Sequence, residues 1–223
     1  MKNPAVHSRH EQVYTCLAAV FAVLIIIGNF IYQKFVYLPF GFYTFELSCG
    51  VITYPATFLI TDLIAEFYGK ERARFTVKLG IALSVMVVGI IYLATSLQPT
   101  PWCVKISEEF NNVFGFFGIA FGCSLVATYC SQWLDVLIYL IIKKITKGKL
   151  LGLRNFLSTS ISLFVDTFIV LSLMTMLGVI PKSQYPILIF QSYGFKLLFS
   201  ILAVPLFYGL VKILRKYLRD SHS

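Results

Sequence analysis

Apolar runs of about 20 residues recur along this chain, each closed by polar or charged residues, and that recurrence is its strongest constraint. The run VYTCLAAVFAVLIIIGNFIY, over 13–32, holds no charged side chain. A hydrocarbon core about 30 Å thick is crossed by about 20 helical residues, each rising about 1.5 Å. With 58% hydrophobic and 13% charged residues among 223, the chain has far more apolar surface than one soluble core can bury. It reads as an integral membrane protein.

The runs predict spans over about 13–32, 45–65, 76–97, 114–142, 156–180 and 193–214. The expected fold is therefore an all-α integral membrane protein with six transmembrane helices, in one domain covering 1–223. Pro39 and Gly41 mark a chain reversal among aromatics suited to a membrane interface. Pro55 lies inside the second run, so a kink is expected near Tyr54. The segment QPTPWCVKISEEFNN, over 98–112, reads as the longest loop. Gly115, Gly118 and Gly122 predict close helix contact in the fourth span. The first run lacks an A-x-A-like cleavage site, so no removable signal peptide is expected.

The net charge of +9 is concentrated at the ends of the runs. Placing the N-terminus, the loops after the second and fourth spans, and the tail on one side collects 15 of the 19 Lys and Arg. The positive-inside rule then puts both termini in the cytoplasm. Lys34, Lys105 and Lys182 fall on the other side. Basic charge here orients a membrane protein, and no soluble basic module exists to bind nucleic acid. The five cysteines are scattered without a C-x-x-C pair and read as packing residues.

An ionisable side chain at the centre of a membrane helix costs roughly 2.5–3.5 kcal/mol, so such residues mark a cavity or a partner. The stretch TYPATFLITDLIAEFYGKERAR, over 53–74, passes from apolar residues through Asp62 and Glu66 into a basic cluster. These two carboxylates lie one helical turn apart on one face. Glu66 is expected near water, within i,i+4 reach of Lys70, with Arg72 close enough to neutralise one of the acids. Asp135 follows Ser131 and Gln132 by four and three residues; Asn155, Ser158, Ser162 and Asp166 step along one face of the fifth span. The segments SQWLD and SLFVD repeat Ser and Asp four apart and read as two similar faces meeting. The plain alternative is that these polar groups only hold helices together. Glu46 is placed near the outer end of the second span. Lys196, near the outer end of the sixth, reads either as a snorkelling lysine or as counter-ion to an internal acid. Nucleotide-binding, zinc-protease and serine-hydrolase motifs are absent, and His7, His10 and His222 sit in the tails. No enzyme, cofactor or metal site is expected; carboxylates alone leave open a hard-cation pathway.

The combination of TYPATFLITDLIAEFYGKERAR, SQWLDV, RNFLSTSISLFVDT and Phe195–Lys196, in that order across nearly the whole chain, resembles the queuosine precursor transporter family, vitamin-uptake-like membrane proteins. The resemblance implies a multi-pass importer in the bacterial cytoplasmic membrane that brings in 7-deazapurines for queuosine salvage into tRNA. It points to Thr61, Asp62, Gln132, Asp135, Asn155, Ser158, Asp166, Phe195 and Lys196. Tyr54 and Glu66 complete the expected substrate-binding set, and the chemistry fits. A guanine-like edge presents adjacent N–H donors that one carboxylate accepts together. A flat ring wants aromatic faces such as Tyr54, Phe58, Trp133 and Phe195. Gln132 and Asn155 can both donate and accept. Competing readings are the substrate-binding membrane subunit of an ATP-driven vitamin-type importer, a proton- or cation-coupled carrier of another nucleobase-like solute, and an intramembrane enzyme. Partners beyond substrate and lipid, including a second copy or an energising module, stay open.

Overall fold

The structure is a computed structural model that describes residues 4–32, 34–41, 43–114 and 117–219. Lys2 and His222 lie outside the described residues. Helix α1 spans Pro4–Ile31. Helices α2 (Gly50–Ser96), α3 (Val104–Phe114), α4 (Phe117–Ile145), α5 (Leu151–Met176) and α6 (Tyr185–Arg219) follow a two-stranded hairpin. Among the described residues, five helices, all but α3, are long and apolar enough to cross a membrane.

The hairpin corrects the expected second span. Phe35–Phe40 (β1) and Tyr43–Ser48 (β2) pair antiparallel, turning at Gly41, whose φ of 61° suits a residue without a Cβ. Along β2 the side chains pass from exposed to buried, and the Ser48 hydroxyl ends the strand. It donates to the Tyr32 carbonyl and accepts from the Gly50 N–H at 3.2 Å. Helix begins at Gly50, and Glu46 stays in the strand, where its N–H donates to Gln191 Oε1 at 2.8 Å.

The break in α2 is also not where Pro55 suggested. A straight helix of 47 residues would run about 70 Å, over twice a hydrocarbon core. Instead the backbone breaks at Gly69 (φ 80°, ψ −178°), a conformation that a side chain would oppose. The helix runs unbroken through Pro55, because this residue lies near the helix start and its missing N–H frees only the carbonyl of Val51. The expected loop at 98–112 likewise contains α3, which starts just beyond Pro99 and Pro101 and exposes Ile106, Phe110 and Val113 along one side.

Close helix contact comes from other glycines than those expected. Gly115 and Gly118 lie outside the residues whose surroundings are described, and a Cβ at Gly122 would meet nothing within 4 Å. A Cβ on Gly50 would strike the Gly28 carbonyl and lie 3.1 Å from the Tyr32 backbone. So α1 and α2 touch backbone to backbone. The described cysteines are all free; Cys123 is buried, and Cys16 is exposed.

The molecule is apolar outside and polar within. Val20, Val23 and Ile27 of α1 and Met86, Ile90 and Leu93 of α2 are exposed, whereas Thr61, Asp62, Gln132, Asp135 and Ser158 are fully buried. At one end, Tyr68 donates to the His10 carbonyl at 3.0 Å, bringing the start of α1 to the Gly69 break. An apolar core of Phe21, Ile25, Ile64, Val77, Tyr139 and Phe207 lies on this side. At the other end, Leu38, Phe45 and Leu47 of the hairpin pack on Phe195 and Phe199 of α6 and cap the helices.

Candidate functional site

The buried polar residues form one column on the first half of α2, with α4, α5 and α6 around it. Tyr54, Phe58, Asp62 and Glu66 recur every fourth residue and so share one face of α2. From Tyr54 to Glu66 this face covers about 18 Å, over half of a hydrocarbon core.

The tier nearest the hairpin is built on Asp166. Its Oδ2 receives Lys196 Nζ at 2.7 Å, and its Oδ1 accepts from Tyr54 OH at 2.6 Å and Ser131 Oγ at 3.3 Å. Thr128 also meets the Tyr54 hydroxyl, and the ammonium of Lys196 stands 4.8 Å from the centre of the Tyr54 ring. Lys196 is only 3% exposed and also donates to Thr167 at 3.0 Å, so it is a counter-ion and does not snorkel. The adjoining cavity, lined by Tyr32, Gly50, Tyr54, Ser124, Asp166 and Lys196, measures about 10 Å³. That is room for about one water, far below the roughly 300–1,000 Å³ of a small-molecule pocket. The column is closed at this tier.

The middle tier joins Asp62, Asp135 and their amide and hydroxyl neighbours. Gln132 donates through Nε2 to Thr57 at 2.9 Å and accepts from Thr61 at 3.1 Å. Asn155 Nδ2 donates to Asp62 Oδ2, which also faces Thr159 Oγ1 at 3.4 Å. The Asp135 carboxyl lies beside Asp62, Ser158 and Ser162. Even so, neither Asp135 oxygen, nor Asp62 Oδ1, nor Ser162 Oγ has a hydrogen-bond partner of ordinary geometry. The repeated Ser–Asp segments meet head to tail across antiparallel helices: Ser131 reaches Asp166 while Ser162 lies beside Asp135.

The third tier corrects the expected surroundings of Glu66. Its carboxylate, 8% exposed, takes Arg154 at 2.6 Å, Lys143 at 2.7 Å and Arg215 at 3.0 Å, with Tyr139 OH at 3.2 Å. Neither Lys70 nor Arg72 serves it; Arg72 pairs with Glu11 at 2.6 Å on α1. The reason is the break at Gly69, which ends the helix face before Lys70 can lie one turn beyond Glu66. Asp62, one turn back, is joined to Asp135 and Asn155 and has no cation.

Tyr54, Thr61, Asp62, Glu66, Gln132, Asp135, Asn155, Ser158, Asp166 and Lys196 thus all lie on this column. Phe58 is buried beside Tyr54, at 5.7 Å between ring centres, and Phe195 packs 5.5 Å from Phe45 under the hairpin. Trp133 does not belong: it is exposed, with Arg74 5.2 Å from its ring, because it follows Gln132 by one position and points to another face. The sequence reading missed Arg154, which looked like part of a basic loop but is 1% exposed and held over the Tyr139 ring at 5.1 Å. A signal existed, since Arg154, Ser158, Ser162 and Asp166 recur every fourth residue. Lys143, Arg215 and Tyr139 carried no such pattern.

Comparison with known proteins gives the family. No solved structure matches the chain. A Bacillus subtilis (strain 168) protein named "Probable queuosine precursor transporter" is 30% identical over 176 residues, covering 78% of this chain and 76% of that one. The family model described as "Putative vitamin uptake transporter" matches residues 48–210, which hold the column from Tyr54 to Lys196. This multi-pass bacterial membrane protein belongs to the vitamin uptake transporter family.

Proposed function

We propose that the chain is a single-domain importer of queuosine precursors, 7-deazapurine bases such as queuine or the deazaguanines, across the cytoplasmic membrane. It changes no bond in its substrate. The break at Gly69 divides α2 into two crossings, which with α1, α4, α5 and α6 makes six. An even number brings both termini to the side of Gly69 and of the basic turn after α4, and the basic residues there make that side cytoplasmic.

The observation that carries the substrate reading is Asp135, fully buried with both oxygens unpartnered. A buried carboxylate without a hydrogen bond of ordinary geometry is costly, and a guanine-like edge supplies two adjacent donors. Asp62, Thr61, Gln132, Asn155 and Ser158 surround the ring, Tyr54 and Phe58 offer aromatic faces, and Asp166 and Lys196 close the site toward the hairpin. Glu66 closes it toward the cytoplasm. The B. subtilis relative's name agrees with this chemistry.

The test is uptake in cells lacking their own importer and queuosine synthesis, supplied with queuine or with a cyano or aminomethyl deazaguanine. Queuosine in tRNA is expected to return with at least one of them. If none restores it while the protein is present in the membrane, the substrate assignment is wrong. Dependence on a copurifying ATPase would make the chain a binding subunit instead of a carrier.

A further inference from the structure

Asp62 and Asp135 are fully buried and lie within hydrogen-bonding reach of each other. The cations nearby are already taken. On α5, Arg154 is held by Glu66; on α6, Lys196 is held by Asp166 and Arg215 by Glu66; on α4, Lys143 is held by Glu66 and the remaining titratable neighbour is Tyr139. Helix α1 presents Phe21 and Ile25 to this part of α2, and on α2 itself Glu66 is the next acid. Two adjoining carboxylates in such a place hold one proton between them, because the second charge has nothing to offset it.

The hydrogen bonds show which acid holds it. A carboxylic acid has one accepting oxygen and one donating hydroxyl, whereas a carboxylate accepts on both oxygens. On Asp62, Oδ2 accepts from Asn155 and Thr159, and Oδ1 has no donor. Asp135 is faced by three groups that can donate, the hydroxyls of Ser158 and Ser162 and the carboxyl of Asp62. Asp62 therefore fits the acid, with Oδ1–H directed to Asp135, and Asp135, which several donors face, fits the anion. Ser162 Oγ, also buried and without a partner of ordinary geometry, is one of the groups that face it.

We propose that import is driven by protons, with Asp62 carrying the coupled proton while ionised Asp135 takes the substrate. This rests on the import reading given above. The proton enters with the substrate from the hairpin side and leaves toward Glu66, one turn or about 6 Å along α2. There Lys143 and Arg215, with side chains 31% and 62% exposed, bring the column to water.

Two measurements on the purified full-length protein test this. Infrared spectroscopy without substrate at neutral pH is expected to show a protonated buried carboxyl in the wild type that Asp62→Asn removes. In vesicles, radiolabelled 7-cyano-7-deazaguanine, an uncharged probe, is expected to accumulate when the outside is acid. One proton per substrate permits up to about tenfold accumulation per pH unit, since a unit is worth about 1.4 kcal/mol. Asp62→Asn should lose that accumulation. Absence of the infrared signal in the wild type overturns the proposal even if the variant does not fold. So does accumulation that ignores pH, follows a sodium gradient, or survives in Asp62→Asn. If the wild type keeps the infrared signal but neither exchanges nor accumulates the probe, the substrate reading fails and the proton site stands.

Discussion

Glu66→Gln is the sharpest test of how the column is held, because the two carboxylates of α2 have such different surroundings. Glutamine keeps the volume and one accepting oxygen but removes the charge shared by three cations. Lys143 and Arg215 reach water, so each loses no more than about 1 kcal/mol. Arg154 is 1% exposed and keeps only the Gly148 carbonyl at 3.3 Å and the Tyr139 ring. Stranding a buried charge costs about 3–5 kcal/mol, and with the amide oxygen still accepting we expect about 3 kcal/mol. On soluble-protein scaling this lowers the melting temperature by roughly 6–12 °C, measurable by thermal unfolding in detergent. Adding Arg154→Met removes the stranded cation and should recover most of the loss, since a buried pair replaced by apolar groups is often neutral. If Glu66→Gln melts within about 2 °C of wild type, or the double variant is no more stable than the single one, the ionic tier contributes little to folding and the reasoning fails.

Asp135→Asn should reduce uptake at least about tenfold, read as queuosine in tRNA, with membrane levels near normal, because no cation depends on Asp135. Asp166→Asn should lose uptake and also lower protein levels, because it strands the buried Lys196; normal levels on immunoblot would refute the pairing. Gly50→Ala should destabilise by about 1–3 kcal/mol in the same melting assay, as its Cβ meets backbone atoms of α1 that cannot move aside. In a cysteine-free background, Lys105→Cys should be labelled by an impermeant reagent in intact cells and Lys147→Cys only after lysis; the reverse pattern would invert the topology.

Most of this site was legible because charge in an apolar run is rare and helical spacing assigns it to a face. Asp62, Asp135, Asn155, Ser158 and Asp166 could be aligned that way before any contact was known. What the spacing could not give was partners across helices. Glu66 was read with Lys70 because they are neighbours in sequence, and the break at Gly69 made that neighbourhood irrelevant. A glycine in an amphipathic boundary gives no warning that it, and not Pro55, will break the helix. The hairpin was hidden for a similar reason: Phe, Tyr, Val and Leu serve a strand or a membrane helix equally well, and only its pairing with the end of α1 and with α6 decides.

The contacts of the column also fall unevenly between its two ends. Helix α1 packs most closely on α2, and α5 lies between α4 and α6, so the column's contacts can be sorted by whether they cross from a first body, α1 and α2, to a second, α4, α5 and α6. At the hairpin end, the ion pair Asp166–Lys196 lies wholly within the second body, and Tyr54 crosses from α2 by hydrogen bonds to Asp166 and Thr128. Parting the bodies there breaks hydrogen bonds and leaves no charge without its partner. At the other end, Glu66 belongs to the first body and all three of its cations to the second. Parting them there exposes Arg154 and Glu66 together, a step tolerable only if water enters as they separate. On the import reading, opening toward the hairpin, the side from which an importer must load, therefore separates no ion pair. Opening at the Glu66 end separates three ion pairs and is, on the same reading, the step that needs the free energy of a bound substrate.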